Sequence, residues 1–266
     1  MTMQIFTGDA ERFRSQQAAI RSATIRDADL AAHSPTTVKR WLIVGAGGFG
    51  REVYSWTLGQ LHATDPNHPV GFLDDDATAL DGFPELKKGW VGRVSDYEPQ
   101  PGDRLLMAIG DPSAKLAVAE QLTARGAKFA SYIHPTAVLA SDVQVGTGVM
   151  ICPSVVICCN VRLGDFVLMN VGALAGHDST IGDGGTLSPH ADVAGQVVLE
   201  RGVFLGCHAV ILPKIHVGEF SRIGAGSVVI SQVKPRATMM GVPAQRINWL
   251  QNDDQKDVDD EQLRAG

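Results

Sequence analysis

From Ile133 to Lys234 the chain repeats in sixes. Cut at that spacing it reads IHPTAV, LASDVQ, VGTGVM, ICPSVV, ICCNVR, LGDFVL, MNVGAL, AGHDST and on through VISQVK, seventeen hexads without an insertion. The first position is Ile, Leu, Val or Met in sixteen of them, with Ala175 the exception. The fifth is always Ala, Val, Ser, Gly or Ile. A helix of 3.6 residues per turn cannot hold every sixth residue on one face. A short strand, a corner and a second short strand can. Three hexads then close one triangular coil of 18 residues, and coils stack as parallel strands about 4.8 Å apart. The pattern predicts a parallel β-helix of nearly six coils, roughly 27 Å long. The first position points inward and the small fifth fits beside a corner.

The preceding stretch has another rhythm. "KRWLIVGAGGFGREVYSWTL" reads as strand, glycine turn and helix, and "PVGFLDDD" as a strand ending in acids. "DRLLMAIGDPSAKLAVAEQLTARG" reads as a strand, a turn and a helix, and "KFASYI" as a short closing strand. Strands alternating with helices imply a parallel sheet. The expected division is therefore an extension over 1–38, helical or mobile, an α/β domain over 39–132, the β-helix over 133–250 and an acidic tail over 251–266.

Composition narrows the function. A net charge of −6 argues against a nucleic-acid binder, which would carry a basic stripe. Four cysteines without a CxxC pair argue against a zinc ribbon or disulfide framework. No basic segment precedes a long apolar run, and no apolar run approaches 18 residues. These features predict a soluble, cytoplasmic protein with no membrane insertion.

The glycine turn carries the first chemistry. Gly45, Gly47 and Gly50 have GxGxxG spacing between a strand and a helix, where backbone amides meet phosphate oxygens. Asp74, 24 residues beyond Gly50, is placed to meet a ribose hydroxyl or a base edge. About 95 residues make only half of a doubly wound dinucleotide domain. A single nucleotide is therefore expected rather than NAD.

The period of 18 stacks Cys159, His177, Gly195 and Pro213 in one column, and His190 with His208 in another. Gly195 presents no side chain, so a ligand can approach its backbone. His177 is then an outward imidazole with open space one coil on.

With "IVGAGGFGREV", "VGFLDDD", "AIGDPSAK", "IHPTAVLASDVQVGTGV", "NVGALAGHDSTIGD" and "GVPAQRI", residues 39–249 resemble the sugar O-acyltransferase family. That family includes sialic acid O-acetyltransferases and N-acetyltransferases of nucleotide-linked 4-amino sugars. The resemblance implies a left-handed β-helix and a homotrimer. It puts Ala46, Gly47 and Gly48 near the phosphates, with Phe49 and Gly110 in the same site, and Asp74 and Asp75 near the base or ribose. It makes His177 the general base and Asp178 the acid that follows it. Thr186, Gly195, Cys207, Gly224 and Ala225 fall where acetyl-CoA lies along the prism. Phe49 and Thr186 stand where some members have histidines, and Gly176 where many have Asn.

An imidazole titrating near neutrality suits proton removal from an amine attacking a thioester. Successive strand residues point to opposite sides, so Asn170 is the expected partner for the ring should Asp178 not reach it. The expected activity is acetyl-CoA-dependent N-acetylation of a nucleotide-linked amino sugar, with no metal. The alternatives are O-acetylation of sialic acid or a related sugar, a zinc enzyme like the γ-type carbonic anhydrases, and an inactive nucleotide sensor.

Overall fold

A computed structural model describes residues 25–26, 38, 40–64 and 70–247, without the side chains of 25–26 and 58–64. Most of the expected extension and all of the acidic tail lie outside the described residues. Within the extension, β1 (Ile25–Arg26) pairs antiparallel with β6 (Ser131–Ile133).

The first unit is a four-stranded parallel sheet. Its strands are β2 (Arg40–Val44), β3 (Val70–Leu73), β4 (Trp90–Gly92) and β5 (Asp103–Met107), in the order β4-β3-β2-β5. Leu42, Ile43, Val44, Leu105 and Leu106 are fully buried, as a sheet covered on both faces requires. Helix α1 (Gly48–Thr64) follows the glycine turn, and α2 (Pro84–Lys87) and α3 (Pro112–Ala124) complete the unit. Asp111 caps α3, its Oδ1 accepting from the amides of Ser113 and Ala114.

The strand expected over "KFASYI" is split. Phe129 bridges to Leu105 in the first sheet, whereas Ser131–Ile133 opens the first face of the prism. The hydrophobic run is continuous because both units share one core at this point. A single buried cluster joins Ile43, Phe72 and Leu106 to Tyr132, Met150 and the prism interior.

From Ser131 the chain winds into a left-handed parallel β-helix of three faces. Face 1 holds β6, Met150–Ile151, Leu168–Met169, Thr186–Leu187, Phe204–Leu205 and Arg222–Ile223. Face 2 holds Val138–Leu139, Val156–Ile157, Leu174–Ala175, Asp192–Val193, Val210–Ile211 and Val228–Val229. Face 3 holds Gln144–Val145, Arg162–Leu163, Thr180–Ile181, Val198–Leu199 and His216–Val217. Each strand pairs in parallel with the one 18 residues on, as in Val156 with Leu174 and Leu174 with Asp192.

The hexad positions have fixed roles. First-position residues such as Ile157, Ala175, Ile181 and Val193 are buried. The fourth takes a left-handed backbone at every corner from Gly148 to Gly226, with φ between +53° and +70°. Glycine suits that conformation, and Asn and Asp tolerate it better than other side chains do. The fourth positions accordingly include Gly148, Asn160, Gly172, Asp178, Gly184, Gly202 and Gly226.

The first unit is seated on face 1. The first outward residues of that face are sealed, Met150 at 1% exposure, Leu168 at 3% and Thr186 at 2%. Leu116 of α3 lies so close to Gly184 that a Cβ on that glycine would come within 2.6 Å of it. Lys115 Nζ donates to Thr186 Oγ1 (2.8 Å) and to Gly185 O (3.4 Å), and Thr186 Oγ1 donates to Gly110 O (2.9 Å). Arg222 pairs with Asp111 at 3.0 Å across the same seam.

Candidate active site

The edge between faces 2 and 3 carries His177. Its Nδ1 lies 2.7 Å from Asp178 Oδ2, and both side chains are exposed. Consecutive strand residues would diverge, so this contact comes from the corner. His177 and Asp178 are turn residues, and Asp178 has φ +61°, which turns its carboxylate back beside the ring. The carboxylate accepts a proton on Nδ1, which leaves the lone pair on Nε2. Nε2 makes no hydrogen bond among the described residues and sits over Gly195. A Cβ on Gly195 would fall 2.5 Å from it.

Asp178 is held from below as well. Asn160, one coil down, donates from Nδ2 to Asp178 Oδ1 at 2.8 Å, and its own backbone amide donates to Asp142 Oδ2 at 3.0 Å. The Asn160 hydrogen bond, then that of His177, keep the Asp178 carboxyl below its ordinary range. Sequence reasoning missed Asn160. The available signal was the column of 18, which places Asp142, Asn160 and Asp178 in line. Asn170, the expected partner, is elsewhere: its Oδ1 accepts from the next amide, Val171, at 2.7 Å. It stands in the hexad that turns the edge between faces 1 and 2.

The glycine turn is built as its spacing implied. Gly45 has φ +103°, and a Cβ on Gly50 would collide with Gly45 O. Those two glycines serve the turn itself. Gly47 and Gly48 are exposed, with open space where a Cβ would lie on Gly47, so their backbone is accessible. Ala46 is buried. Phe49 turns into the unit, its ring edge-on to Trp56 at 6.3 Å. Asp74 Oδ2 accepts from the Ala46 amide (2.6 Å) and Oδ1 from the Asp76 amide (2.9 Å), while Asp75 Oδ1 accepts from the Ser95 amide (2.9 Å). Asp74 therefore braces the glycine turn.

The expected cofactor residues do not share one groove within the chain. Gly195 belongs to the His177 edge. Cys207, Gly224 and Ala225 belong to the edge between faces 1 and 2, where the His190 and His208 rings also stack at 5.0 Å. Cys207 and Ala225 are exposed. Thr186 lines no groove in this chain: it is buried under α3, bonded to Lys115 and Gly110. Gly110 thereby commits its carbonyl to the seam. The glycine turn is on the face-1 side, and His177 is on the edge opposite face 1. No group of three or more His, Cys, Asp or Glu side chains able to hold a metal occurs among the described residues. No helix among them is long and apolar enough to cross a membrane.

Comparison with known proteins follows the same two parts. The family model described as the PglD N-terminal domain matches residues 40–122. GDP-perosamine N-acetyltransferase of Escherichia coli O157:H7 is 28% identical over 172 residues, 64% of this chain and 76% of that protein. WeeI from Acinetobacter baumannii AYE superposes with a TM-score of 0.69 at 25% identity, covering 78% of this chain and 99% of that one. A histidine-to-asparagine variant of perosamine N-acetyltransferase from Caulobacter crescentus, in complex with CoA and GDP-perosamine, gives a TM-score of 0.69 at 28% identity, covering 78% and 96%. The first unit is thus similar to the PglD N-terminal domain, and the first unit and prism together are similar to these N-acetyltransferases of the hexapeptide-repeat type.

Proposed function

We propose that the protein transfers an acetyl group from acetyl-CoA to the amine of a nucleotide-linked amino sugar, a 4-amino-4,6-dideoxy sugar, for glycan assembly in the cytoplasm. The observation that carries this reading is His177. Its Nδ1 is held by Asp178, its Nε2 is free, and the residue facing that nitrogen has no side chain. The printed ligands of the perosamine N-acetyltransferase complex, CoA and GDP-perosamine, support the choice of donor and acceptor class.

In this mechanism the sugar amine attacks the thioester carbonyl while His177 Nε2 takes its proton. Asp178 keeps the other ring nitrogen protonated and stabilises the imidazolium. The Gly195 amide, which donates to no partner among the described residues, is the donor assigned here to the oxyanion of the tetrahedral intermediate. The C–S bond then breaks, and His177 returns the proton to the leaving thiolate.

The site is completed between chains. Face 2 presents Val138 and Val156, 49% and 38% exposed, with Leu174, Val210 and Val228 partly exposed in the same row, interrupted by a single charge at Asp192. An apolar face of this kind is a self-association surface. Three prisms turning face 2 toward a common threefold axis close a ring. The His177 edge of one prism then meets its neighbour's edge between faces 1 and 2. That edge carries Cys207, Gly224, Ala225 and Asn170, beside the first unit with its glycine turn. The ring gathers the expected acceptor and donor residues, apart from Thr186, around one imidazole. On this reading the acceptor unit is residues 39–132 and the donor unit 133–250.

The test is thiol release from acetyl-CoA with UDP-, GDP- and dTDP-linked 4-amino sugars, followed by mass spectrometry of the product. One of these is acetylated on nitrogen, and His177→Ala lowers kcat by about 10²–10⁴-fold. Turnover of free sialic acid in place of the nucleotide sugars, or full activity of His177→Ala, overturns the reading.

A further inference from the structure

The pairing of Asp178 with His177 depends on a rotamer that solvent would otherwise scramble. Both side chains are exposed, and an exposed ion pair is weakly held by itself. Asn160 supplies the missing constraint. It occupies the fourth position of the coil below, where φ of +55° turns its side chain up the edge toward Asp178. Its Nδ2 reaches Asp178 Oδ1, so the two carboxylate oxygens have separate tasks: Oδ1 for Asn160 and Oδ2 for His177. Asn160 is itself pinned, because its backbone amide donates to Asp142 Oδ2.

We propose that Asn160 is a positioning residue, which locks the Asp178 carboxylate so that His177 presents Nε2 toward Gly195. This rests on His177 being the base. The chain Asp142, Asn160, Asp178, His177 climbs one edge through two coil spacings, with every link a hydrogen bond of 2.7–3.0 Å. Asn fits this place for two reasons. It tolerates the left-handed backbone, and it brings an amide donor that Asp lacks. An Asp at 160 would set a second carboxylate against the first.

The variants follow from the backbone. Asn160→Gly removes the amide and keeps a residue suited to positive φ, as Gly172, Gly184, Gly202 and Gly226 show at equivalent corners. Asn160→Asp keeps the shape and removes the donor. Kinetics are measured on the assembled protein with acetyl-CoA and the acceptor identified by the panel above. Asn160→Gly is expected to lower kcat roughly tenfold with KM for acetyl-CoA unchanged within about twofold. Asn160→Asp loses at least as much. In an Asp178→Ala background, Asn160→Gly has no further effect, since the two residues act as one unit.

Thermal unfolding separates this role from a fold defect: the kcat loss occurs without a matching fall in midpoint. A kcat equal to wild type in Asn160→Gly overturns the proposal, as does full additivity with Asp178→Ala. If His177→Ala retains activity, the reading beneath it fails instead, and the two failures are told apart by that single control.

Discussion

Lys115 Nζ lies 2.8 Å from Thr186 Oγ1, in the seam between the first unit and face 1. The side chain is 1% exposed. Burial pushes its ammonium down to about 7, with Asp111 acting in the other direction. Unfolded, a lysine titrates near 10.4. Between those values the unfolded chain binds the extra proton, so stability rises as pH climbs from about 7 to about 10.

Replacing Lys115 by Met removes that dependence. Thr186 still donates to Gly110 O, so the seam keeps its other hydrogen bond. Lys115→Met is expected to be the more stable protein at pH 6, with the advantage shrinking by on the order of 3 kcal/mol toward pH 10. Thermal midpoints of both proteins at pH 6, 8 and 10 check this. A gap that stays constant across the series contradicts it.

Gly195 and Gly176 separate chemistry from construction. A Cβ at Gly195 meets the tip of an exposed ring, His177 Nε2 at 2.5 Å. A Cβ at Gly176 meets the backbone of Ala194 at 2.6 Å. Gly195→Ala should fold normally and lose about tenfold or more in kcat, because the imidazole is pushed from its place. Gly176→Ala should lower the melting temperature, since coils cannot part to admit the methyl. Circular dichroism melts beside steady-state rates distinguish the two.

Asp111 divides its oxygens between a helix cap and an ion pair. Asp111→Asn keeps a side-chain oxygen for the Ser113 and Ala114 amides and gives up the charge facing Arg222. That pair is about half exposed, so the change should stay under about 1 kcal/mol. Asp111→Ala removes the cap as well and should cost roughly 1–2 kcal/mol. Urea midpoints of the two variants test this order.

Face 2 gives a prediction about assembly. Val156→Glu places a charge in the exposed apolar row without touching the inward Ile157. The trimer expected by sedimentation should dissociate to monomers. Turnover should fall with it, because His177 then loses the neighbouring edge that completes the groove. A trimeric and active Val156→Glu would remove the assembly proposed here.

The hexads made most of the fold legible in advance. Their inward first residues and small fifth residues are properties of single letters at fixed spacing, and they hold from coil to coil. The local chemistry was harder to read, because it depends on departures from strand geometry. Strict alternation separates His177 from Asp178, whereas a left-handed corner joins them. Asn160 was hidden for the same reason, since its partner is 18 residues away and not beside it. Thr186 was placed beside the acetyl donor by the family resemblance. Whether a face is open depends on what is docked over it, and α3 covers that one. The short α2 and β4 were not anticipated, because "PELK" and "WVG" are too brief to carry a periodic signal.

The uniform 18-residue coil also works as a ruler. Height along the prism comes in whole storeys of about 4.8 Å, and no smaller step is available without breaking the register. Inserting or deleting 18 residues between Ile133 and Asn160 would lift or lower His177 by one storey while leaving its edge, its aspartate and its orientation unchanged. The same step would carry Gly184, Thr186 and Arg222 past Leu116, Lys115 and Asp111, so the docked first unit fixes how many storeys precede His177, much as a landing built into a wall fixes the flight below it.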